Sequence, residues 1–132
     1  MIGLLIITHN NIGAELIETA TAMLGVCPVM ATVLSVRPDS DPDTVLREAQ
    51  HSIVGLNRGA GVLVLTDMYG STPSNIAAHL VNEEQIKVVA GINLPMLVRV
   101  LNYPQLDLHQ LADKALSGGR DGILLCKPLP EA

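Results

Sequence analysis

The chain has 132 residues, a length that suits one domain, and 48% of them are hydrophobic although Trp and Phe are absent and Tyr occurs only twice. This aliphatic composition is typical of helices packed on a parallel sheet, whose strands are buried on both faces. The net charge of −5 and the lack of a basic cluster argue against nucleic acid or an anionic membrane as a partner, because both bind through concentrated Lys and Arg.

Aliphatic runs alternate with amphipathic segments along the chain and predict five strands. These are residues 2–7, 29–36, 61–66, 86–90 and 123–126. Helical spacing between the first two strands ends at Gly25, which suits a left-handed residue after a helix. Asp41-Pro42 and Thr72-Pro73 each combine an N-cap residue with a proline for the first turn, so a helix is expected after each pair.

Two further helices are expected before the last strand. One begins at Pro95 and continues to about Leu101, and the other covers residues 108–116 and ends at the pair Gly118-Gly119. The order of elements predicts an α/β fold, a three-layer sandwich with a mostly parallel open sheet in strand order 2-1-3-4. The C-terminal strand is expected at an edge of the sheet, and the pattern leaves open whether it runs antiparallel and whether it is exchanged in a dimer.

Residues 1–126 are expected to form this single domain, and residues 127–132, which include two prolines, are expected to be a flexible tail. No positively charged leader is present, and no run approaches the roughly 18 apolar residues of a membrane span. Cys27 and Cys126 lack metal-ligand spacing and are typical of reduced thiols. We therefore expect a cytoplasmic protein without direct membrane insertion.

Polar residues follow two aliphatic runs that the predicted strand order makes neighbours. His9 ends the first run in the stretch LLIITHNN, and Asp67 follows the third. Open α/β sheets bind ligands at the carboxyl ends of their strands where the winding reverses, so His9 and Asp67 should lie together. A carboxylate on one ring nitrogen fixes the tautomer and leaves the other nitrogen free to attack an electrophile. A structural hydrogen bond, or a turn capped by Asp67, fits the same positions.

The loop DMYGSTPSN after the third strand places Gly70, Ser71 and Thr72 before a helix whose first residue is predicted to be Pro73. Free N–H groups at a helix N-terminus suit an anion such as a phosphoryl group, and the Thr72 hydroxyl can either cap the helix or turn to the anion. A capped turn without a ligand fits the loop equally well. No GxxxxGK[ST] motif is present, which argues against nucleotide binding of the P-loop type.

Three other histidines fall within predicted helices. His51, His79 and His109 have no partner at metal-ligand spacing such as HExxH, so we expect surface or packing residues and no metal site.

Three motifs resemble the enzyme IIA domains of the mannose family of the phosphoenolpyruvate:sugar phosphotransferase system (PTS). They are THNN after the first strand, TDMYGSTPSN after the third and AGINLPMLVRVL after the fourth. The closing GGRDGI is similar to the last segment of that family. Each motif is weak alone, but they occur in the same order over nearly the whole chain.

The resemblance implies a phosphoryl carrier, a phosphotransferase with a phosphohistidine intermediate and no cofactor. By match, His9 accepts the phosphoryl group from phospho-HPr and passes it to a IIB component, and Asp67 orients the imidazole. By the same match, the hydroxyl residue Thr72 in the following loop helps to hold the phosphoryl oxygens. The loop N–H groups, including those of Gly70 and Ser71, are expected to stabilise the charge on these oxygens. The resemblance also implies a homodimer with an exchanged C-terminal strand, and a connection through IIB to a membrane IIC/IID complex.

The chain departs from the family pattern at two places. Family members often carry Gly directly after the histidine, whereas this chain has Asn10-Asn11, and Asn tolerates left-handed backbone better than most residues. Ser71 replaces the second glycine of the loop and Thr72 replaces the usual serine, so hydroxyl chemistry is kept.

An apolar rim around His9 would suit docking of partner proteins. The expected members are Met68, Tyr69, Leu94 and Met96, although ordinary loop packing explains them equally well. Two other functions fit the same residues: a stand-alone regulatory phosphoprotein, and a phosphoryl-donor subunit for dihydroxyacetone kinase. A receiver domain fits less well because the acidic pair expected after the first strand is absent.

Overall fold

A computed structural model of the chain describes residues 1–130, so positions 131–132 of the predicted tail lie outside the described residues. Strands and helices alternate along this part of the chain. They are β1 (Gly3–His9), α1 (Ile12–Leu24), β2 (Ala31–Val36), α2 (Pro42–Leu56), β3 (Val62–Thr66), α3 (Thr72–Ala78), β4 (Ile86–Ala90), α4 (Leu94–Leu101) and α5 (Leu108–Asp121).

The strands form one all-parallel sheet in the order β2-β1-β3-β4, which confirms the predicted order. β1 is a central strand, with Ile6 paired to Val33 of β2 and to Leu65 of β3. Successive side chains of a strand point to opposite faces. Leu4 and Ile6 pack with α1, α4 and α5, whereas Leu5 and Ile7 pack with α2 and α3. Both faces of the sheet are therefore covered, and the three-layer sandwich is confirmed.

The end of α5 differs from the sequence prediction, which placed it at Gly118-Gly119. The helix continues through both glycines to Asp121. A Cβ on Gly118 would lie 2.8 Å from Cβ of Arg99, and one on Gly119 would lie 2.9 Å from Cε of Met96. These glycines thus allow α5 to pack closely on α4 and do not end the helix.

The strand predicted at residues 123–126 is not formed in the single chain. Residues 123–130 have no regular secondary structure. Four large apolar side chains of this segment are 76–95% exposed: Ile123, Leu124, Leu125 and Leu129. A strand requires a hydrogen-bonded neighbour, and no strand among residues 1–130 pairs with this segment.

No helix within residues 1–130 combines the length and the apolar character needed to cross a bilayer.

Candidate functional site

His9 lies at the carboxyl end of β1, where the winding of the sheet reverses. It is the last residue of the strand and pairs in register with Val36 at the end of β2. The chain leaves β1 toward α1 on one face of the sheet, and leaves β3 toward α3 on the other face. Such a reversal creates the crevice in which open α/β sheets bind ligands.

The imidazole of His9 is hydrogen-bonded to the carboxylate of Asp67, which directly follows β3. Nδ1 of His9 lies 2.8 Å from Oδ2 of Asp67, and the same oxygen accepts the His9 backbone N–H at 3.0 Å. The backbone N–H of Met68 donates to Oδ1 of Asp67 at 2.9 Å. The predicted proximity of His9 and Asp67 is confirmed, and it follows from the parallel pairing of β1 with β3.

These hydrogen bonds keep the Asp67 carboxyl ionised and determine which ring nitrogen of His9 carries the shared proton. Burial of the Asp67 carboxyl acts to raise its pKa, but the hydrogen bonds from the His9 ring and from the backbone N–H groups of His9 and Met68 outweigh burial and hold the pKa below its ordinary value. An ionised carboxylate only accepts hydrogen bonds, so Nδ1 of His9 carries the shared proton. In the neutral ring, Nε2 is then left with a free lone pair.

The side chains of His9 and Asp67 differ in their exposure to solvent. The His9 side chain is 41% exposed, whereas that of Asp67 is 13% exposed. The ring can therefore be reached from solvent, while the carboxylate that orients it is shielded.

The turn after His9 is held by Thr8, Asn10 and Gly13. The buried Thr8 hydroxyl accepts the backbone N–H of Gly13 at 2.8 Å and so ties the start of α1 to β1. A Cβ on Gly13 would lie 2.7 Å from Cγ2 of Ile6, which shows how closely the helix approaches the strand. Asn10 has φ 47°, in the left-handed region, as expected for an asparagine in place of glycine.

The loop Gly70, Ser71 and Thr72 leads into α3. The helix begins one residue earlier than predicted, with Ser71 at the N-cap in place of Thr72, because Ser71 has extended backbone and its carbonyl accepts the N–H of Asn75. The Ser71 hydroxyl donates to the carbonyl of Met68 and does not cap the helix. Thr72 is therefore in the first turn, where it lines the cleft beside His9.

This cleft, which we call the His9 cleft, has a volume of about 260 Å³. Its walls are formed by His9, Asn10, Val36, Arg37, Pro38, Ser40, Pro42 and Thr72. Gly70 and Ser71 do not line it. Sequence reasoning missed the part of the wall formed by Val36, Arg37, Pro38, Ser40 and Pro42. Their position at the carboxyl end of β2, beside β1, was the signal that could have identified them.

Only part of the predicted apolar rim is at the surface. Met68 and Tyr69 are 62% and 87% exposed, and Leu94 is partly buried. The prediction for Met96 was wrong, because its side chain is 3% exposed and belongs to the core. Met96 lies on the face of α4 that also carries Leu97, Val100 and Leu101, and this face packs against the sheet and α5.

None of the other three histidines lines the His9 cleft. His51, His79 and His109, expected to be surface or packing residues, are all exposed. Nε2 of His109 lies 3.8 Å from Oδ2 of Asp113 in the next turn of α5. Within residues 1–130, no group of three or more His, Cys, Asp or Glu side chains is placed to hold a metal ion.

A parallel α/β sheet with an accessible, carboxylate-oriented histidine at its switch point defines a class of proteins suited to nucleophilic chemistry at an imidazole. The family model EIIA-man, described as PTS system fructose IIA component, matches residues 3–116. The chain therefore belongs to the mannose-type enzyme IIA family of the PTS, which confirms the resemblance seen in its motifs.

Individual relatives agree with this assignment. The PTS system mannose-specific EIIAB component of Escherichia coli (strain K12) is 32% identical over 138 residues, an alignment that covers 99% of this chain and 42% of the relative. The chain thus spans about two fifths of the length of that relative. The PTS system fructose-specific EIIA component of Bacillus subtilis (strain 168) is 36% identical over 67 residues, covering 49% of this chain and 46% of the relative.

Solved structures share the fold. The mannose/sorbose specific IIA subunit of the phosphotransferase system from Enterococcus faecalis superposes with a TM-score of 0.87 at 23% identity, covering 99% of this chain and 98% of that one. The phosphotransferase system component EIIA from Streptococcus agalactiae gives a TM-score of 0.83 at 24% identity, covering 94% and 96%.

Proposed function

We propose that the chain is a phosphoryl carrier of the PTS, in which His9 accepts a phosphoryl group from phospho-HPr and passes it to a IIB component. The observation that carries this proposal is the 2.8 Å hydrogen bond between Nδ1 of His9 and Asp67, on a ring that remains 41% exposed. Family membership supports the same assignment.

The chemistry needs no group other than the two proteins. The Nε2 lone pair of His9 attacks the phosphorus in line, a new N–P bond forms, and the N–P bond in the donor breaks as its imidazole leaves with the electron pair. The His9 ring then carries a proton on Nδ1 and phosphorus on Nε2, and is positively charged. Asp67 stabilises that charge. In the transfer to IIB, phosphorylated His9 is the donor, and its Nε2–P bond breaks as the bond to IIB forms.

Among the loop residues, Thr72 takes the main role in holding the phosphoryl oxygens. It lines the His9 cleft and does not serve as the N-cap of α3. The N–H groups of Gly70 and Ser71 already donate within the loop, to Oγ of Ser74 at 3.3 Å and to the carbonyl of Met68 at 3.2 Å. They assist only if these two hydrogen bonds are exchanged for bonds to the phosphoryl group.

The partner proteins approach the exposed His9 ring, and the exposed Met68 and Tyr69, which directly follow Asp67, offer apolar contact area. IIB is the acceptor that fits, since the E. coli relative is described as an EIIAB component. A cytoplasmic location and a connection through IIB to membrane IIC and IID components follow from this role. The mannose- and fructose-specific names of the relatives favour sugar phosphotransfer over the regulatory and dihydroxyacetone kinase alternatives.

We further propose a homodimer in which the C-terminal segment is exchanged. Residues 123–130 carry exposed apolar side chains. β4 is at the end of the strand order, and apart from a bridge between Ile86 and Asn82 its outer edge pairs with no strand among residues 1–130. An edge strand with free backbone groups is a template for pairing with a second chain.

Phosphorylation in a defined system tests the carrier function. The chain is incubated with labelled phosphoenolpyruvate, enzyme I and HPr, and acid-labile phosphate is mapped by mass spectrometry. We expect label on the unaltered chain and on the control variant His109→Ala, and none on His9→Ala. Label that persists in His9→Ala, or an unaltered chain that takes no label, would contradict the proposal.

A further inference from the structure

Arg37 lies beside His9 although it is distant in sequence. It directly follows β2, and Val36 before it pairs in register with His9. Arg37 is one of the residues that line the His9 cleft, as is Thr72. The guanidinium therefore belongs to the same sheet edge as the imidazole that we propose to be phosphorylated.

Both the backbone and the side chain of Arg37 form hydrogen bonds within the protein. Its backbone N–H donates to Oγ of Ser40 at 2.9 Å, and Nη2 of its side chain donates to Oδ1 of Asn11 at 2.8 Å. Asn11 occupies the N-cap position of α1, yet its side chain does not cap that helix. The asparagine oxygen is used to hold Arg37 instead of a helix amide.

The charge of Arg37 is not neutralised by the described part of the protein. Its side-chain partner is a neutral amide, and no carboxylate within residues 1–130 forms an ion pair with it. Among residues 1–130, it is also the one residue lining the cleft that carries a permanent charge. A guanidinium has five N–H donors, and the bond to Asn11 uses one, so the remaining donors are available to an anion.

We propose that Arg37 binds the phosphoryl group in the His9 cleft and stabilises its negative charge during transfer. This inference rests on the proposed function, because it requires the group to reside on His9. Arginine suits such a role since its planar fork donates paired hydrogen bonds to phosphate oxygens. Thr72 also lines the cleft, so its hydroxyl and the guanidinium can act on the group together.

Two phosphoryl donors separate an effect on the phosphoryl group from an effect on the partner protein. Phospho-HPr is a protein donor, and phosphoramidate is a small donor that releases ammonia when its P–N bond breaks. The rate of His9 phosphorylation is measured with each donor for the unaltered chain, Arg37→Gln, Arg37→Lys and the control Arg58→Gln. Arg58 is an exposed residue between α2 and β3. It precedes β3 and so lies toward the amino ends of the strands, whereas His9 and Arg37 lie at the carboxyl ends.

With Arg37→Gln we expect phosphorylation to slow about ten- to a hundredfold with both donors, as for loss of a charge-assisted hydrogen bond in the transition state. Arg37→Lys, which keeps the charge and loses the fork, should be intermediate, and Arg58→Gln should match the unaltered chain. A rate that falls with phospho-HPr alone would indicate that the Arg37 guanidinium contacts HPr and not the phosphoryl group, and would overturn the inference. Equal rates for Arg37→Gln and the unaltered chain would overturn it while leaving the carrier function intact, whereas an unaltered chain that takes no label would overturn both.

Discussion

The Nδ1 proton of His9 lies between the ring and a carboxylate that accepts two further backbone N–H groups. These three donors keep Asp67 ionised and fix its position. In our account the carboxylate has two effects: it selects the tautomer with a free Nε2, and it stabilises the positive ring that exists while phosphorus is bound.

Replacing Asp67 with Asn tests the effect of its negative charge on phosphoryl transfer. The amide oxygen can still accept a hydrogen bond, but the negative charge is lost, so Asp67→Asn should slow transfer from phospho-HPr about ten- to a hundredfold. Rapid-quench measurement of the transfer rate checks this. Asp113→Asn is a matched control, because Asp113 lies near His109 on the surface of α5. Similar slowing by both variants would show that the effect is not specific to the site.

Acid should weaken the contribution of Asp67 to stability. Its pKa is lower in the folded chain than in the unfolded chain, so its stabilisation is complete above the unfolded value, about 3.9, and is lost as the pH falls through the folded value. The free energy of unfolding, measured by urea titration at a series of pH values, should therefore differ most between the unaltered chain and Asp67→Asn above about pH 4. A difference that widens in acid would contradict this assignment.

Sequence reasoning located the His9–Asp67 pair because parallel strands in the order 2-1-3-4 bring the ends of β1 and β3 to the same edge. It did not locate Arg37, because the direction of a long exposed side chain depends on Asn11, whose own position follows from the left-handed Asn10. Met96 was misplaced because motif position alone does not tell which face of α4 is buried.

At the scale of elements, the position of His9 depends on how closely α1 approaches β1. Gly13→Ala would place a Cβ 2.7 Å from Cγ2 of Ile6 in a buried site, so the helix must shift. We expect a loss of about 1–3 kcal/mol in the free energy of unfolding, measured by urea titration.

Gly55→Ala provides the matched control for this element. Gly55 lies in α2, and a Cβ there would meet no atom within 4 Å apart from its chain neighbours and the backbone of its own helix, so alanine should stabilise the helix by about 0.5–1 kcal/mol. Equal effects of the two substitutions would contradict the close contact between α1 and β1.

Glycines also explain where the prediction of elements succeeded and failed. Gly25 ends α1 with φ 83°, as its position after an apolar stripe indicated. The pair Gly118-Gly119 has the same appearance in sequence, but α5 continues through it because α4 packs there. The local sequence is enough to predict the end of α1 at Gly25. The continuation of α5 through Gly118-Gly119 depends on a contact between two helices.

At the scale of the whole molecule, the segment after α5 has apolar side chains that no other part of residues 1–130 covers. The proposed dimer is supported by the exposed Ile123, Leu124 and Leu125. It is also supported by the outer edge of β4, which apart from the Ile86–Asn82 bridge pairs with no strand among residues 1–130. The strand predicted at residues 123–126 was inferred from its aliphatic run, and such a run indicates burial without identifying the chain that supplies the neighbouring strand.

Sedimentation velocity tests this assembly. We expect the chain, of 14.0 kDa, to sediment as a dimer. The double variant Leu124→Glu/Leu125→Glu should sediment as a monomer, because charged groups would have to be buried in the exchanged segment. Val54→Glu, at an exposed apolar site on α2, should remain dimeric. A monomeric unaltered chain, or a double variant that stays dimeric, would contradict the exchange.

The most direct test of the account is the identity of the ring nitrogen that carries phosphorus. The chain, labelled with ¹⁵N at histidine, is phosphorylated through HPr, and long-range ¹H–¹⁵N spectra together with ³¹P coupling identify the bonded nitrogen. We predict phosphorus on Nε2 of His9 with the proton retained on Nδ1 beside Asp67. Phosphorus on Nδ1, or on a different residue, would contradict the account.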